Sequence, residues 1–315
     1  MRIQKFSLMI LLLAVFGLVS CNDDDDNDTM LTGSAQVEIT DAPIDDASVR
    51  GAFVTVSEVR LDGAELEGFN KATIDLLAYQ NGNTALLGMS EFETGSYSEM
   101  ILVLDYNTDE NGEAPGCYVL DDQGEKNALV AANNEINIQQ DYEIEQDQQT
   151  KLIVDFDLRK CINREEGGDD KYDFVTEAEL ESGVRAALRD STGTVEGNCE
   201  DMASQSDKII VYAYKKGSFD RDTELEAQGE SNIRFSNAVT STQVDGSGNY
   251  ELHFLEKGEY EIHYASYRDR DNDGEFELQG TLNVNVLSSI DINSIEVDAA
   301  SSTTVDVSVT GLLPL

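Results

Sequence analysis

Nine residues near the end of the chain, Asp269-Arg270-Asp271-Asn272-Asp273-Gly274-Glu275-Phe276-Glu277, hold the densest set of side chains able to do chemistry. Calcium takes six to eight oxygen ligands, and alternate aspartates before a glycine can turn three carboxylates into one tight loop. Position twelve, where an EF-hand carries a bidentate glutamate, is Gly280, and strand-forming sequence flanks the loop on both sides. An EF-hand is therefore excluded. A weaker calcium site would use Asp269, Asp271 and Asp273 with Glu275 or Glu277. The competing reading is an acidic hairpin turn made by Asn272-Asp273-Gly274.

The other candidates are sparser. His253 and His263 are the only histidines. Both alternate with apolar neighbours, which predicts exposed positions on one sheet surface, and two imidazoles fall short of the three or four ligands zinc takes. Asp41, Asp45 and Asp46 flank Pro43; Asp41 reads as a turn cap, and the group offers a cation site or an acid/base pair only beside a substrate cleft. Asp155 and Asp157 alternate with Val154 and Phe156, which predicts that they face solvent. No nucleophile elbow, phosphate loop or dinucleotide fingerprint is present.

The formal net charge of -42 repels phosphate backbones and anionic lipid surfaces, so nucleic acid is excluded as a partner, while cations and basic ligands are attracted. Tryptophan is absent, so sugar stacking would fall to the twelve tyrosines. Of the four cysteines, Cys117, Cys161 and Cys199 follow Cys21. Their spacings match no zinc pattern. An odd number permits at most one disulfide among them, and Cys117–Cys161 is expected ahead of Cys161–Cys199 because both fall in one domain.

The elements that would carry these residues begin after residue 20. Arg2 and Lys5 precede a short apolar run, too short to span a bilayer, that ends in Leu18-Val19-Ser20-Cys21. The pattern resembles a bacterial lipoprotein signal. It implies cleavage before Cys21, lipidation there and attachment to a membrane outside the cytoplasm. The following stretch, rich in aspartate, predicts an unstructured tether over 21–32. It resembles the export signal of surface lipoproteins in the Bacteroidota, which implies an outer-membrane protein facing the extracellular side.

Beyond the tether, apolar residues recur with period two: Val37/Ile39, Ala52/Val54/Val56, Met100/Leu102/Leu104, Leu152/Val154/Phe156, Leu282/Val284/Val286 and Val305/Val307/Val309. After Val56 the parity shifts to Val59 and Leu61, which predicts a bulge. Helix is expected only over 177–189 and near 75–79. The reading is all-β: two prealbumin-like or immunoglobulin-like sandwiches in series, 33–190 and 191–315, after a 1–20 signal, with a short hinge at 191–197. Glu93-Thr94-Gly95-Ser96-Tyr97 and Glu256-Lys257-Gly258-Glu259-Tyr260 repeat one turn pattern, with the glycine expected at positive φ and the tyrosine packed inward.

From 33 to 189 the chain resembles an uncharacterised family, domain of unknown function 4382. Thr40-Asp41-Ala42-Pro43, Val54-Thr55-Val56-Ser57-Glu58-Val59, Ile74-Asp75-Leu76-Leu77, Gly95-x-Tyr97 and Leu152-Ile153-Val154-Asp155-Phe156-Asp157 carry the likeness. It implies a secreted or lipid-anchored protein without assigned activity. Cys117 and Cys161 depart from that family's pattern. Residues 194–312 are similar to carboxypeptidase regulatory-like, transthyretin-type modules through Asp245-Gly246-x-Gly248-x-Tyr250-x-Leu252 and Leu255-x-x-Gly258-x-Tyr260-x-Ile262. Such modules are spacers or docking units. The functional expectation is a non-catalytic, surface-displayed binding or scaffolding lipoprotein with an unknown protein or glycan ligand. A carboxylate-based or metal-assisted hydrolase and a purely structural stalk or coat component are the alternatives.

Overall fold

The computed structural model describes residues 31–41, 49–164, 172–202, 204–271 and 276–315. Cys21, Asp45, Asp46, Asp273 and Glu275 lie outside the described residues. The chain is all-β.

In the first half, a four-stranded sheet runs in the order Val184–Leu188, Gln149–Phe156, Thr32–Thr40, Ala85–Glu93. Thr32–Thr40 and Gln149–Phe156 are parallel, with Val37 opposite Leu152 and Thr40 opposite Asp155. The second sheet is built around the thirteen-residue strand Val49–Leu61, which pairs with Gly95–Leu104, Tyr118–Asp121, Ala64–Glu65 and Ala72–Asp75. The register shift between Val56 and Glu58 is the bulge the parity change predicts. Val37, Ile39, Val154 and Phe156 pack against Val54, Val56, Leu102 and Leu104, all at or below 1% exposure, as the inward faces of two sheets must.

In the second half, one nine-stranded sheet folds on itself. It runs Thr240–Gln243, Lys208–Lys215, Gly258–Arg268, Glu277–Val286, Val307–Pro314, Thr192–Glu200, Asn249–Glu256, with Ile295–Val297 and Ser302–Thr304 off this path. Val195, Leu252 and Leu255 thereby face Val211, Ile262 and Tyr264 across a closed core. The strand Lys208–Lys215 is buried on both faces. Its reverse side, with Tyr212 and Tyr214, is covered by Leu225, Phe235 and Ala238, and the Tyr212 and Phe235 rings stack at 4.1 Å. The unbroken run Ile209-Ile210-Val211-Tyr212-Ala213-Tyr214 is the sequence counterpart of that double burial. Thr192–Glu200 is strand throughout, so the link between the halves shrinks to the 3₁₀ turn Arg189–Ser191. Residues 31–315 form a single compact unit.

Two expectations about local structure change. The helix at 177 stops at Gly183, and Val184–Leu188 instead forms an edge strand on Gln149–Phe156. A side chain at position 183 would stand 2.6 Å from Cys161 Sγ, so close packing ends the helix where the sheet begins. The two Gly-x-Tyr turns differ at the glycine: Gly95 takes the expected positive φ, at 159°, and Gly258 does not. What they share is the tyrosine. Tyr97 donates its hydroxyl to Glu93 O, and Tyr260 to Glu256 O, both at 2.8 Å. Each bond clasps the corner where the chain leaves one layer for the other. Tyr260 is fully buried and also accepts from Lys215 Nζ at 2.6 Å. Tyr260→Phe should therefore lower unfolding free energy by about 1–2 kcal/mol in urea titration, and Tyr97→Phe, whose bond is exposed, by less. Equal losses would show that the buried corner has no special weight.

Candidate functional site

The strand Gln149–Phe156 sits inside its sheet, and the face opposite Val154 and Phe156 is covered as well. Asp155 and Asp157 on that face are 4% and 3% exposed, and Asp41 is 5% exposed. The expectation that Asp155 and Asp157 face solvent is overturned: the second half of the chain lies on them. Ile153, fully buried on the same face, is the residue whose type signals a covered surface.

Three cations meet these carboxylates. Arg185, opposite Asp155 in the strand register, donates to its Oδ2 at 2.6 Å. After Asp157 the chain turns through Leu158–Cys161, which brings Arg159 to 3.0 Å and Lys160 Nζ to 3.6 Å from Asp157 Oδ2. Each cation also reaches a backbone carbonyl of the second half. Arg185 donates to Phe254 O at 2.9 Å, Arg159 to Arg234 O at 2.7 Å and Phe235 O at 3.2 Å, and Lys160 to Ala238 O at 2.5 Å. Phe235 and Phe254 both adopt positive φ, at 53°, where the carbonyls that meet Arg159 and Arg185 lie. Glu179 adds a link by accepting from Ser231 N at 3.1 Å and Ser231 Oγ at 2.5 Å. Burial alone would raise its pKa, but the bonds from Ser231 and Thr176 outweigh burial and hold it down to about 2.

Burial sets the electrostatics of the seam. It raises the Asp155 carboxyl in spite of Arg185, and lowers the Lys160 ammonium in spite of Asp157. Asp41 is raised well above its usual range, mainly by burial. It accepts from Leu158 N at 3.1 Å and Gln80 Nε2 at 3.0 Å, both neutral donors. Thus it is more than a turn cap: it is a buried carboxylate joining two segments far apart in sequence. Beside it lies a cavity of about 20 Å³ lined by Thr40, Asp41, Asn81, Asp155, Ser241 and His253 among others. The carboxylates converge here, but the space admits one water-sized occupant and no sugar or peptide.

The two histidines do not share a sheet surface. Their strands follow each other in the chain but are separated by three strands in the sheet. His253 packs over the Asn81-Gly82 turn, where a side chain on Gly82 (φ 76°) would stand 2.8 Å from the imidazole, and its Nε2 lies 2.8 Å from Glu251 Oε2. His263 stacks on Phe219 at 3.6 Å, and burial lowers its pKa. Both are half-buried packing residues.

Of the acidic segment near the C-terminus, Asp269, Asp271 and Glu277 are described. They bracket the hairpin in which Arg268 pairs with Glu277, and Glu277 Oε2 accepts from Arg270 N at 3.4 Å. Among the described residues no three acidic, histidine or cysteine side chains gather to hold a metal. The expected Cys117–Cys161 disulfide is absent: Cys117, Cys161 and Cys199 are free, buried thiols. Cys117 Sγ instead accepts from Thr55 N at 3.3 Å, and burial pushes its pKa up to about 12. An open groove of about 590 Å³ flanks the seam, lined by Arg159, Arg164, Arg234, Asn163, Asn232 and Phe276 among others. Nothing in the sequence spacing marked Arg159, Lys160 or Arg185; their roles come from pairings made across the fold.

No curated protein matches the chain in sequence. Among solved structures it is similar to the Bacillus anthracis TIE protein (12% identity, 88% of this chain and 34% of that one, TM-score 0.19). It is also similar to BcpA, the major pilin subunit of Bacillus cereus (10%, 89% and 70%, TM-score 0.21). A third is GBS52, the minor pilin of Streptococcus agalactiae (12%, 89% and 99%, TM-score 0.21). The chain spans about a third of the length of the first. Identity and TM-score this low say nothing about activity or partners. Residues 32–176, the stretch that contributes Asp41, Asp155, Asp157, Arg159 and Lys160 to the seam, match the family model of DUF4382, a domain of unknown function.

Proposed function

We propose that this chain is a non-catalytic binding or scaffolding module, tethered through lipid on Cys21 to the outer membrane and displayed on its extracellular side. The observation that carries the reading is the seam. The buried ionisable groups best placed for acid–base chemistry hold the two halves together, and their cavity has room for one small occupant. A hydrolase would need a substrate-sized cleft beside those carboxylates. Tying two sandwiches into one unit suits a part that must present a surface at a distance from a membrane. The net charge of -42 steers basic partners toward the protein, and the open groove beside the seam is a concave surface offered to a protein or glycan ligand. A calcium ion at Asp269, Asp271, Asp273, Glu275 and Glu277 would stiffen one hairpin; that reading rests on spacing alone.

The anchor is tested on native protein. Intact mass and peptide mapping should find acyl groups on an amino-terminal Cys21, and Cys21→Ser should move the protein from the membrane to the soluble fraction. Wild-type protein that carries no acyl group would overturn the proposal. Surface crosslinking on intact cells separates binder from stalk: a binder crosslinks repeatedly to one partner through the groove, and a stalk does not.

A further inference from the structure

We infer that the seam cavity beside Asp41 is a binding site for one sodium ion, with Asp41 as its charged ligand and oxygens of Asp155, Asn81 and Ser241 available around it. The inference is independent of the anchor and of the binding role proposed above.

Four observations lead to it. The cavity is rich in oxygen: Thr40, Asp41, Asn81, Asp155, Thr240, Ser241 and Thr242 line it, a donor set suited to a hard cation. His253 and Glu251, also on its wall, are paired with each other at 2.8 Å. Ser241 is 4% exposed, and its Oγ has no hydrogen-bond partner, although buried hydroxyls are nearly always satisfied. Asp41 receives two neutral hydrogen bonds, whereas Asp155 has Arg185 and Asp157 has Arg159 and Lys160. Finally, the volume of about 20 Å³ admits a single ion or water.

Charge selects the ion. Of the two buried carboxylates on the wall, Asp155 has Arg185 and Asp41 meets only neutral donors, so a monovalent cation balances Asp41 and a divalent one would leave a buried positive charge. Because the wall comes from both halves (Asp41, Asn81 and Asp155 from one, Ser241 from the other), the ion binds only where the seam is closed. Sodium therefore stabilises the joined form by mass action, and it competes with a proton for Asp41.

The test is thermal unfolding of the purified mature protein at pH 8, with sodium chloride replacing choline chloride at constant ionic strength. Above the dissociation constant, each tenfold rise in sodium should raise Tm by about 2–4 °C. The response should shrink at pH 5, weaken in Ser241→Ala, which keeps every carboxylate, and vanish in Asp41→Asn. Superimposed sodium and choline curves would show that the cavity holds only water and would overturn the inference. So would a full sodium response in Asp41→Asn. Stabilisation by calcium chloride that exceeds the sodium effect and disappears in Asp41→Asn would overturn the monovalent assignment.

Discussion

Arg185→Ala is expected to cost about 3–5 kcal/mol of unfolding free energy, because it leaves Asp155 buried without a cation. Asp155 is 4% exposed, and Arg185 meets it at 2.6 Å while bonding Phe254 O across the seam at 2.9 Å. The loss has two parts: an uncompensated carboxylate in a low-dielectric setting, and an inter-half hydrogen bond with no substitute. The pair Arg185→Ala/Asp155→Asn separates them. Removing the charge with the guanidinium should recover more than half of the loss and leave the deficit of the bond to Phe254. Urea titration followed by tyrosine fluorescence reads both variants. A wild-type-like midpoint for Arg185→Ala would mean that the seam is not what joins the halves. Arg60 with Glu58 and Glu135 makes an instructive contrast. Those carboxylates are more than a third exposed, so solvent screens the pair and Arg60→Ala should change stability little.

Much of the scaffold can be read from the sequence because it rests on local alternation and turn chemistry. The parity change after Val56 marks the bulge, and repeated Gly-x-Tyr marks both tyrosine-clasped corners. Many of the 63 acidic residues also act locally. Asp109, Asp121 and Asp245 each accept from backbone N–H groups two and four residues ahead, which spends carboxylates on turns and not on sites. The seam is different. Alternation tells which side of a strand a residue lies on, but not whether that side is covered, and an aspartate on the outer face of a sheet ordinarily meets water. Only Ile153, on the strand face it shares with Lys151 and Asp155, hints at a second layer. The helix expected over 177–189 fails for a related reason. Val184–Leu188 has a periodicity that either element accepts, and pairing with Leu152–Phe156, 28 to 36 residues earlier, decides. The histidine assignment fails because a tight turn joined two strands that the fold sends to different parts of the sheet. The missing disulfide belongs here too: Cys117 and Cys161 share a half of the chain and one hydrophobic core, yet both thiols are free, and Cys117 Sγ accepts from Thr55 N.

Asp41→Asn should stabilise the sodium-free protein at neutral pH by about 1–3 kcal/mol, an unusual direction for a substitution at a fully buried polar residue. Burial raises the folded-state pKa of Asp41 well above its unfolded value near 3.9. A carboxyl with a raised folded pKa binds its proton more tightly in the folded state. Its contribution to stability is complete below the unfolded pKa and is lost as pH rises through the folded one. Wild type and variant should therefore agree near pH 3.5 and diverge upward from about pH 4, the variant gaining until Asp41 is fully ionised. Asparagine keeps the acceptor for Leu158 N and lets Gln80 turn its amide to accept, so both native contacts survive. Asp105 and Glu179, each held down to about 2, pull the absolute stability curve the other way: they stabilise above their unfolded pKa values, and that stability is lost on acidification. The difference between variant and wild type removes them, since neither group is altered. Paired urea titrations in choline buffer from pH 3.5 to pH 8 measure that difference. A gap that closes as pH rises would mean that Asp41 is stabilised as the anion, and the seam would then need a cationic partner for it within the fold itself.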